Sequence, residues 1–551
     1  MTTTAKTTRL ETQGVASRGL LELWPTALLA LLVLVVPLLY LGIDSYGYLS
    51  MEAMVLEGAN NMLSSGDWLV PRLYGEIYTY KPPLGYWLGA LPAALSEGAP
   101  SAALFRLPFV TSVFSLALLA FVTVGCWVSP RAGLWAGVGT VGSVVLLEKV
   151  RLAEFDTPLT ACVGGAVLIA SATLVRERRS EAKEAALWTG AYAFLYLGFL
   201  AKGVPALMSF VPGLLLAALL NRRGRRLLEA SHLLPAITFA ALVCVYVWSV
   251  VSAVGWEGFS QPAQEAQAKG FNWGMGELAL AVAKPLIILA GFAPFSLFVP
   301  RAAAACRAEP SSSLERLQAS GLGFLAGGIL AFTAVPTHEM RYYLPLAAAF
   351  GLAGGLGAEA ALRAGATRFE SIAIRALALL VLPMAAIALH RHFDPVAAVL
   401  LALLAAATIA GAARQPTLVP TVVTVATAVA VAQSLCFVPA RAASRDLAPI
   451  AELLEAAVPL EATLWTAGPA DTAGKHSSLY AALGRTVRVF DPEDPAGTAP
   501  ADGWFLLTDE DWRRYSDRLD LCDVLVAGPE ERSYRIAQRS AAGGCSPPVS
   551  G

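Results

Sequence analysis

The chain has 551 residues, of which 56% are hydrophobic and only 15% are charged. Soluble globular chains carry roughly 45–50% apolar and about 25% charged residues, so this composition excludes an ordinary soluble protein and indicates an integral membrane protein. The formal net charge of −1 says nothing about nucleic acid, but no basic tract is large enough to suggest nucleic acid as a partner, and we expect none.

Residues 1–23 are polar and mildly basic, and the apolar run that follows has no clear small-residue cleavage site. We therefore expect a tail before an uncleaved first span. Because a transmembrane helix needs roughly 20 apolar residues, we count about thirteen such helices in residues 24–440. Their centres lie near residues 33, 117, 140, 166, 193, 212, 243, 289, 327, 352, 381, 404 and 427.

Basic residues are concentrated in alternate loops, for example around residues 176–183, 222–226 and 363–375. The positive-inside rule makes these loops and the N-terminus cytoplasmic, and an odd number of spans puts the C-terminal tail outside. The opposite set of loops is then expected outside. These outer loops cover residues 44–104, 147–156, 201–205, 255–278, 336–342 and 390–395.

The first outer loop is the longest polar interruption among the spans. Its residues 51–63 place apolar side chains on one face of a helix, with Ser50 as a candidate N-cap, so we expect a helix on the membrane surface. Glu52 and Glu57 lie about 140° apart around that helix, which by itself indicates two solvated acids rather than a pair. Farther along, Lys81 precedes two prolines, which favour an extended segment.

The composition changes from about residue 442. One amphipathic helix pattern is followed by four short strand patterns, ATLWTAG, TVRVFD, GWFLLTD and LCDVLVAG. We predict a small α/β domain over residues 442–551, suited to structural support or partner docking rather than to catalysis. The seven cysteines show no metal-ligand spacing, and Cys522 and Cys545 are a candidate disulfide if this tail is extracytoplasmic.

Four segments in chain order carry a family resemblance. The first outer loop contains E-A-x₃-E-x₅-L-x-S-G-D-W-x-V-P-x-L and then K-P-P-x-x-Y-W. RLAEFDTPLT (151–160), FLAKGVPAL (199–207) and RYYLPLAAAF (341–350) follow. Together they resemble the aminoarabinose transferase and protein O-mannosyltransferase superfamily. The resemblance implies an α-helical polytopic membrane glycosyltransferase of the GT-C type, with a first outer loop that carries surface helices.

The resemblance also implies a reaction. A sugar would pass from a polyprenyl-phosphate donor to a lipid, glycan or protein acceptor, with inversion, at the outer face of a bacterial inner membrane. The partners would be that donor, the acceptor and membrane lipids, and no cofactor is expected. The C-terminal domain would be periplasmic.

The family assigns roles to five positions. Glu52 is the matched acid of the first loop and would act as the base or orient the acceptor, supported by Asp156. Lys81, Lys202 and Arg341 would bind the donor phosphate. The physics suits this assignment, because fixed cations stabilise the negative charge that develops on a leaving phosphate. A carboxylate in a partly apolar site suits removal of the proton from a hydroxyl.

Two positions depart from the family pattern. Asp-Glu usually begins the surface helix, whereas this chain has Met51 before Glu52, and Asp44 just upstream is a candidate substitute. In the aminoarabinose transferases a metal-binding Glu stands where this chain has Tyr80, and the loop 255–278 contains no His, so we predict no required metal. Further residues expected to bind the acceptor or line the site are Glu57, Tyr80, His338 and Tyr342.

Two other functions compete with transfer. A non-catalytic protein that binds or carries a polyprenyl-phosphate sugar is the main alternative, and Met51 motivates it. A transporter is weaker, because the outer-loop acids cluster at one face and the two halves show no paired broken helices at mid-membrane.

Overall fold

The computed structural model describes residues 23–96, 100–177, 180–268, 275–306, 310–335, 339–443, 448–459, 462–467, 479, 487–500, 503–527, 534–539 and 549–550. Within these residues the chain is helical up to residue 457, apart from one short hairpin, and a mixed sheet follows. The helices of the first 220 residues are α1 Leu23–Tyr40, α2 Ser50–Ser65, α3 Leu84–Ala94, α4 Ala102–Trp127, α5 Pro130–Val141, α6 Val144–Lys149, α7 Asp156–Val175, α8 Glu181–Lys202 and α9 Val204–Leu220.

A second run of helices continues to residue 457. Three 3-10 helices lie among them, at Gly224–Leu228, Phe295–Phe298 and Met340–Leu346, and two π-helical turns lie at Gly351–Gly355 and Gln433–Phe437. The α-helices are α10 Ala230–Ala268, α11 Met275–Gly291, α12 Val299–Ala305, α13 Ser313–Thr333, α14 Ala347–Phe350, α15 Leu356–Ala364, α16 Arg368–Arg391, α17 Pro395–Ala413, α18 Gln415–Leu418, α19 Thr421–Ala432, α20 Val438–Ala443 and α21 Ala448–Ala457.

Local sequence explains where several helices begin. Ser312 and Glu315 form a capping box at the start of α13, and Thr367 and Glu370 form another at the start of α16. Each box satisfies two backbone N–H groups that have no partner within the helix. Asp394 caps α17 in a similar way, with a proline at the first helical position.

The protein spans a membrane many times. Among the described residues, eight helices are long and apolar enough to cross it, and a bent pair, Leu280–Gly291 with Phe295–Ala304, would make a ninth. All thirteen predicted span centres lie in helical segments. The four outside this set, near residues 140, 193, 212 and 327, lie in α5, α8, α9 and α13, which are shorter or more polar.

The fold divides into two compact units. The first comprises residues 1–45, 108–247 and 266–440. In it α7 packs on α8, and α9 packs closely on α13. A Cβ atom at Gly323 of α13 would lie only 2.3 Å from the backbone nitrogen of Ala217 in α9. Glycine therefore lets these two backbones approach as small residues do in membrane helix pairs.

The second unit comprises residues 46–107, 248–265 and 441–551. In it α2 packs on α3, and a Cβ atom at Gly58 of α2 would lie 2.4 Å from the ring of Tyr86. The predicted helix over residues 51–63 is confirmed and is longer at both ends. It begins at Ser50, so Leu49 rather than Ser50 is the N-cap, and the predicted cap is wrong by one residue.

The tail forms a small sheet with helices, as the composition predicts. Its elements are β3 Leu464–Ala467, β4 Val487–Phe490, α22 Pro495–Thr498, β5 Trp504–Thr508, α23 Asp509–Tyr515, β6 Leu521–Ala527, β7 Tyr534–Arg539 and β8 Val549–Ser550, while β1 Arg72–Leu73 and β2 Glu76–Ile77 form the hairpin of the first outer loop. The strand order is β4-β3-β5-β7-β6-β8, with β7 antiparallel to both neighbours and the other pairs parallel. The four predicted strands are confirmed, whereas β7 and β8 were missed. Cys522 lies in β6, and Cys545, its predicted disulfide partner, lies outside the described residues.

Candidate functional site

The buried Arg151 holds the segment that precedes α7, the helix that begins with Asp156. Arg151 donates from Nε to the Leu41 carbonyl at 2.7 Å and from its other nitrogens to the carbonyls of Leu147 and Leu38. Leu38 and Leu41 are at the C-terminal end of α1, where carbonyl groups have no partner within the helix. Arg151 thus ties the start of α7 to the end of the first span.

Asp156 is the first residue of α7, and its carboxylate meets the last residue of α8. The Lys202 ammonium lies 2.5 Å from Asp156 Oδ1, and both side chains are more than nine-tenths buried. Gly203 follows with a φ of 74°, a backbone conformation that glycine adopts without strain, and it turns the chain into α9. The two residues are placed together because α7 and α8 pack along their length.

The 3-10 helix at Met340–Leu346 adds a second cation beside Lys202. Arg341 Nε lies 2.6 Å from a carboxylate oxygen of Glu339, and Arg341 Nη1 lies 3.9 Å from Oε2 of Glu154. The ring centre of Tyr342 lies 4.5 Å from Lys202 Nζ and 5.7 Å from Arg341 Cζ, within the range of cation–π attraction. Tyr342 therefore faces both cations.

We call Glu154, Asp156, Lys202, Arg341 and Tyr342 the charged cluster. Its two cations face two largely buried carboxylates, and the more exposed Glu339 is a third and closer partner for Arg341. Arg341 keeps about a fifth of its side chain exposed. The structure thus brings together three of the residues predicted from separate loops, Asp156, Lys202 and Arg341, with Tyr342 beside them.

Glu52 has a different environment from the solvated helix acid that its spacing indicates. Both its oxygens bind the Arg106 guanidinium, each at 2.7 Å, and the backbone N–H of Leu49 donates to it at 3.1 Å. Arg106 also donates to the carbonyls of Tyr46 and Gly47, and both charged side chains are fully buried. A carboxylate held in this way is poorly placed to take a proton from a substrate.

The remaining first-loop residues lie in the second unit. Glu57 is half-buried and accepts a hydrogen bond from the backbone N–H of Tyr74 at 3.3 Å. Burial raises the pKa of Glu57, and the Tyr74 hydrogen bond opposes that change only in part. Lys81 Nζ donates to the carbonyl of Tyr80 at 3.2 Å, and the Tyr80 ring lies 4.9 Å from that of Tyr78.

The raised pKa of Glu57 predicts a pH effect on stability. Between its ordinary value of 4.5 and its higher folded value, the folded chain binds more protons at Glu57 than the unfolded chain does. The free energy of unfolding should therefore fall as pH rises through that window. Glu57→Gln should flatten this part of a Tm-against-pH profile, whereas the exposed Glu452→Gln should leave it unchanged. An equal slope in wild type and Glu57→Gln would contradict this assignment.

Other predicted site residues stand apart from these contacts. Asp44 is exposed, just after α1. His338 lies outside the described residues. Among the residues that the structure does describe, no three His, Cys, Asp or Glu side chains are grouped so as to hold a metal ion. Metal independence stays a prediction.

Sequence reasoning missed three charged residues. Arg106 was not recognised as the partner of Glu52, nor Glu154 as a neighbour of Arg341. Lys284 is almost fully buried in α11 and donates to the carbonyls of Phe332 and Val335. Arg106 and Lys284 stand in apolar runs, where an ionisable residue is a functional candidate by default, and that signal would have found them.

Comparison with known proteins gives a family match in the first half of the chain. Residues 80–249 match the family model described as dolichyl-phosphate-mannose-protein mannosyltransferase. The predicted family resemblance is confirmed.

Curated relatives include two ArnT-type enzymes, each named undecaprenyl phosphate-alpha-4-amino-4-deoxy-L-arabinose arabinosyl transferase. The one from Pectobacterium carotovorum is 31% identical over 35% of this chain, and the one from Pseudomonas aeruginosa is 30% identical over 33%. The chain matches only about a third of the length of these relatives, 34% and 33% respectively.

Solved structures extend the likeness to nearly the whole chain. One is ArnT from Cupriavidus metallidurans bound to undecaprenyl phosphate, with a TM-score of 0.72 at 14% sequence identity. The match covers 94% of this chain and 99% of the ArnT chain. The apo form of the same ArnT matches with a TM-score of 0.69 at 16% sequence identity. That match covers 97% of this chain and 100% of the ArnT chain. This chain therefore has the same fold as these ArnT structures, which is the predicted GT-C type, with a C-terminal sheet.

Proposed function

We propose that this chain transfers a sugar from a polyprenyl-phosphate donor to an acceptor at the outer face of a bacterial inner membrane. The observation that carries the proposal is the charged cluster, in which Asp156, Lys202 and Arg341 meet from three separate segments. The names of the relatives, which are undecaprenyl phosphate arabinosyl transferases, support the choice of donor. We further propose that the transferred group is a pentose or a hexose.

Lys202 and Arg341 would bind the donor phosphate. Both are cations that face one aromatic ring, and both are now balanced by carboxylates of the same cluster. A phosphate that enters would share these two cations with the carboxylates, and the exposed part of Arg341 leaves room for such a contact. In the transfer step the phosphate gains negative charge, and fixed cations stabilise it without reorganising. Lys81 of the first outer loop is proposed as a further phosphate-binding residue.

The reaction would be a single displacement with inversion. The acceptor hydroxyl oxygen forms a bond to the anomeric carbon while the bond from that carbon to the phosphate oxygen breaks. The electron pair of that bond leaves on the polyprenyl phosphate, and the hydroxyl proton passes to a carboxylate. The acceptor would be a lipid, a glycan or a protein at the outer face.

We assign the role of base to Asp44 rather than to Glu52. Glu52 is fully buried with both oxygens on Arg106, whereas Asp44 is exposed. Glu52 would instead position the first loop, and Asp156 would hold Lys202. Glu57 is the second candidate for the base, because burial raises its pKa and so makes it a better proton acceptor. Tyr80, His338 and Tyr342 would line the site.

The test is transfer from a panel of undecaprenyl phosphates that carry different labelled sugars, with purified full-length protein in vesicles. We expect labelled product with at least one donor and its loss in Asp44→Asn. If Asp44→Asn retains activity and Glu57→Gln loses it, the base is Glu57. Failure of every donor, with retained binding of undecaprenyl phosphate, would favour the rival function of a non-catalytic lipid-sugar binder, which Met51 motivates.

A further inference from the structure

A cavity of about 720 Å³ lies where α9 ends and the chain turns toward α10. Four arginines line it against two glutamates, so its wall carries an excess of positive charge. The lining residues are Glu177, Leu219, Arg222, Arg223, Gly224, Arg225, Arg226 and Glu229. The charged cluster lies at the other end of α9, which at 17 residues is about 25 Å long. The cavity is thus separate from the proposed transfer site and lies on the side that we predict to be cytoplasmic.

The floor of the cavity is a built structure rather than a loose loop. Arg226 is buried, donates to the Thr173 carbonyl at 3.0 Å and lies 3.9 Å from Glu184. The carbonyl of Leu227 can only accept, so the 2.8 Å contact with His232 places a proton on Nδ1 of that ring. These bonds fix the 3-10 helix that carries Arg225 and Arg226 and that Arg223 directly precedes. Basic residues that only flank a span would need no such anchoring.

The rim of the cavity combines charge with exposed apolar surface. Arg225 is exposed and Arg223 is half-buried. Leu219 and Leu228 beside them expose 64% and 76% of their surface, which in a membrane protein at the end of a span means contact with lipid. An occupant that suits both surfaces has a phosphate for the arginines and an acyl chain for the leucines. A soluble anion would contact only the arginines and would leave the leucines without a partner.

We propose that this cavity binds the headgroup of an anionic phospholipid from the membrane leaflet around it. Arg223 and Arg225 bind the headgroup phosphate, since a guanidinium matches two phosphate oxygens at once. Leu219 and Leu228 contact the first part of the acyl chains. Basic pockets at the cytoplasmic ends of transmembrane helices suit such headgroups because the leaflet is negatively charged there. The site holds α9 and α10 against the bilayer and takes no part in sugar transfer.

Native mass spectrometry of the full-length protein, titrated with phosphatidylglycerol, tests the proposal. Wild type should retain phosphatidylglycerol, and it should bind phosphatidylcholine or water-soluble glycerol phosphate far more weakly. Arg223→Gln with Arg225→Gln should weaken phosphatidylglycerol binding roughly thirtyfold, because each basic residue near an anionic surface contributes about fivefold. Replacing both by Lys should recover part of the binding, because Lys keeps the charge but not the two-oxygen contact, and this recovery shows that the protein still folds.

The matched control removes two exposed arginines on the same predicted side, Arg368→Gln with Arg414→Gln. We expect its affinity to stay within about twofold of wild type, because neither residue lines the cavity. Equal weakening in this control would overturn the proposal, since binding would then follow overall charge. Equal binding of phosphatidylcholine would overturn it too. Tight binding of soluble glycerol phosphate would show a free-anion site instead.

Discussion

Lys202→Gln should lower the turnover number for sugar transfer by about a hundredfold to a thousandfold. The reason is that the phosphate charge appears during the displacement, so the Lys202 ammonium stabilises the transition state more than the bound donor. KM for the donor should change much less than kcat. The measurement is steady-state transfer of labelled sugar by purified protein in vesicles, with the amount of folded protein determined in the same samples.

A double variant separates this chemical role from a structural one. Lys202→Gln alone leaves the buried Asp156 carboxylate without its 2.5 Å partner, which also destabilises the fold. Asp156→Asn with Lys202→Gln removes both charges, so it should recover much of the Tm but none of the transfer. If activity returns together with Tm, Lys202 only holds the structure. Arg368→Gln, an exposed arginine outside the cluster, is the control for a lost positive charge.

The sequence was most informative where a local pattern decides the structure. The length of apolar runs placed all thirteen predicted spans in helices, and one-sided spacing found α2. Topology then predicted that Asp156, Lys202 and Arg341 share one side of the membrane. Their actual proximity depends on how α7 packs on α8 and on the 3-10 helix, which no local pattern encodes.

The same limit explains the main misreading of the first loop. Glu52 pairs with Arg106, which is remote in sequence and lies in the first turns of an apolar span. The spacing of residues within α2 gives information only about the neighbours of Glu52 on that helix. On this basis Glu52 is expected to be a solvated acid. Glu52 is buried because α3 packs on α2 and because Arg106 of α4 pairs with the carboxylate. The misplaced N-cap has a similar origin, because the Glu52 carboxylate itself binds the N–H of Leu49.

Glu52→Gln should cost the fold about 3–5 kcal/mol, because it leaves the Arg106 guanidinium buried beside a neutral amide. Replacing both residues by apolar ones of similar size, Glu52→Leu with Arg106→Met, should recover part of that loss, since neither charge then needs a partner while the Tyr46 and Gly47 carbonyls lose the Arg106 donors. The exposed acid Glu452→Gln should change stability by less than about 0.5 kcal/mol. Thermal unfolding in detergent measures all three, and transfer per folded molecule is measured alongside. If Glu52→Gln instead keeps the wild-type Tm and abolishes transfer, then Glu52 acts in the chemistry, as the family resemblance first implied, and the base is not Asp44.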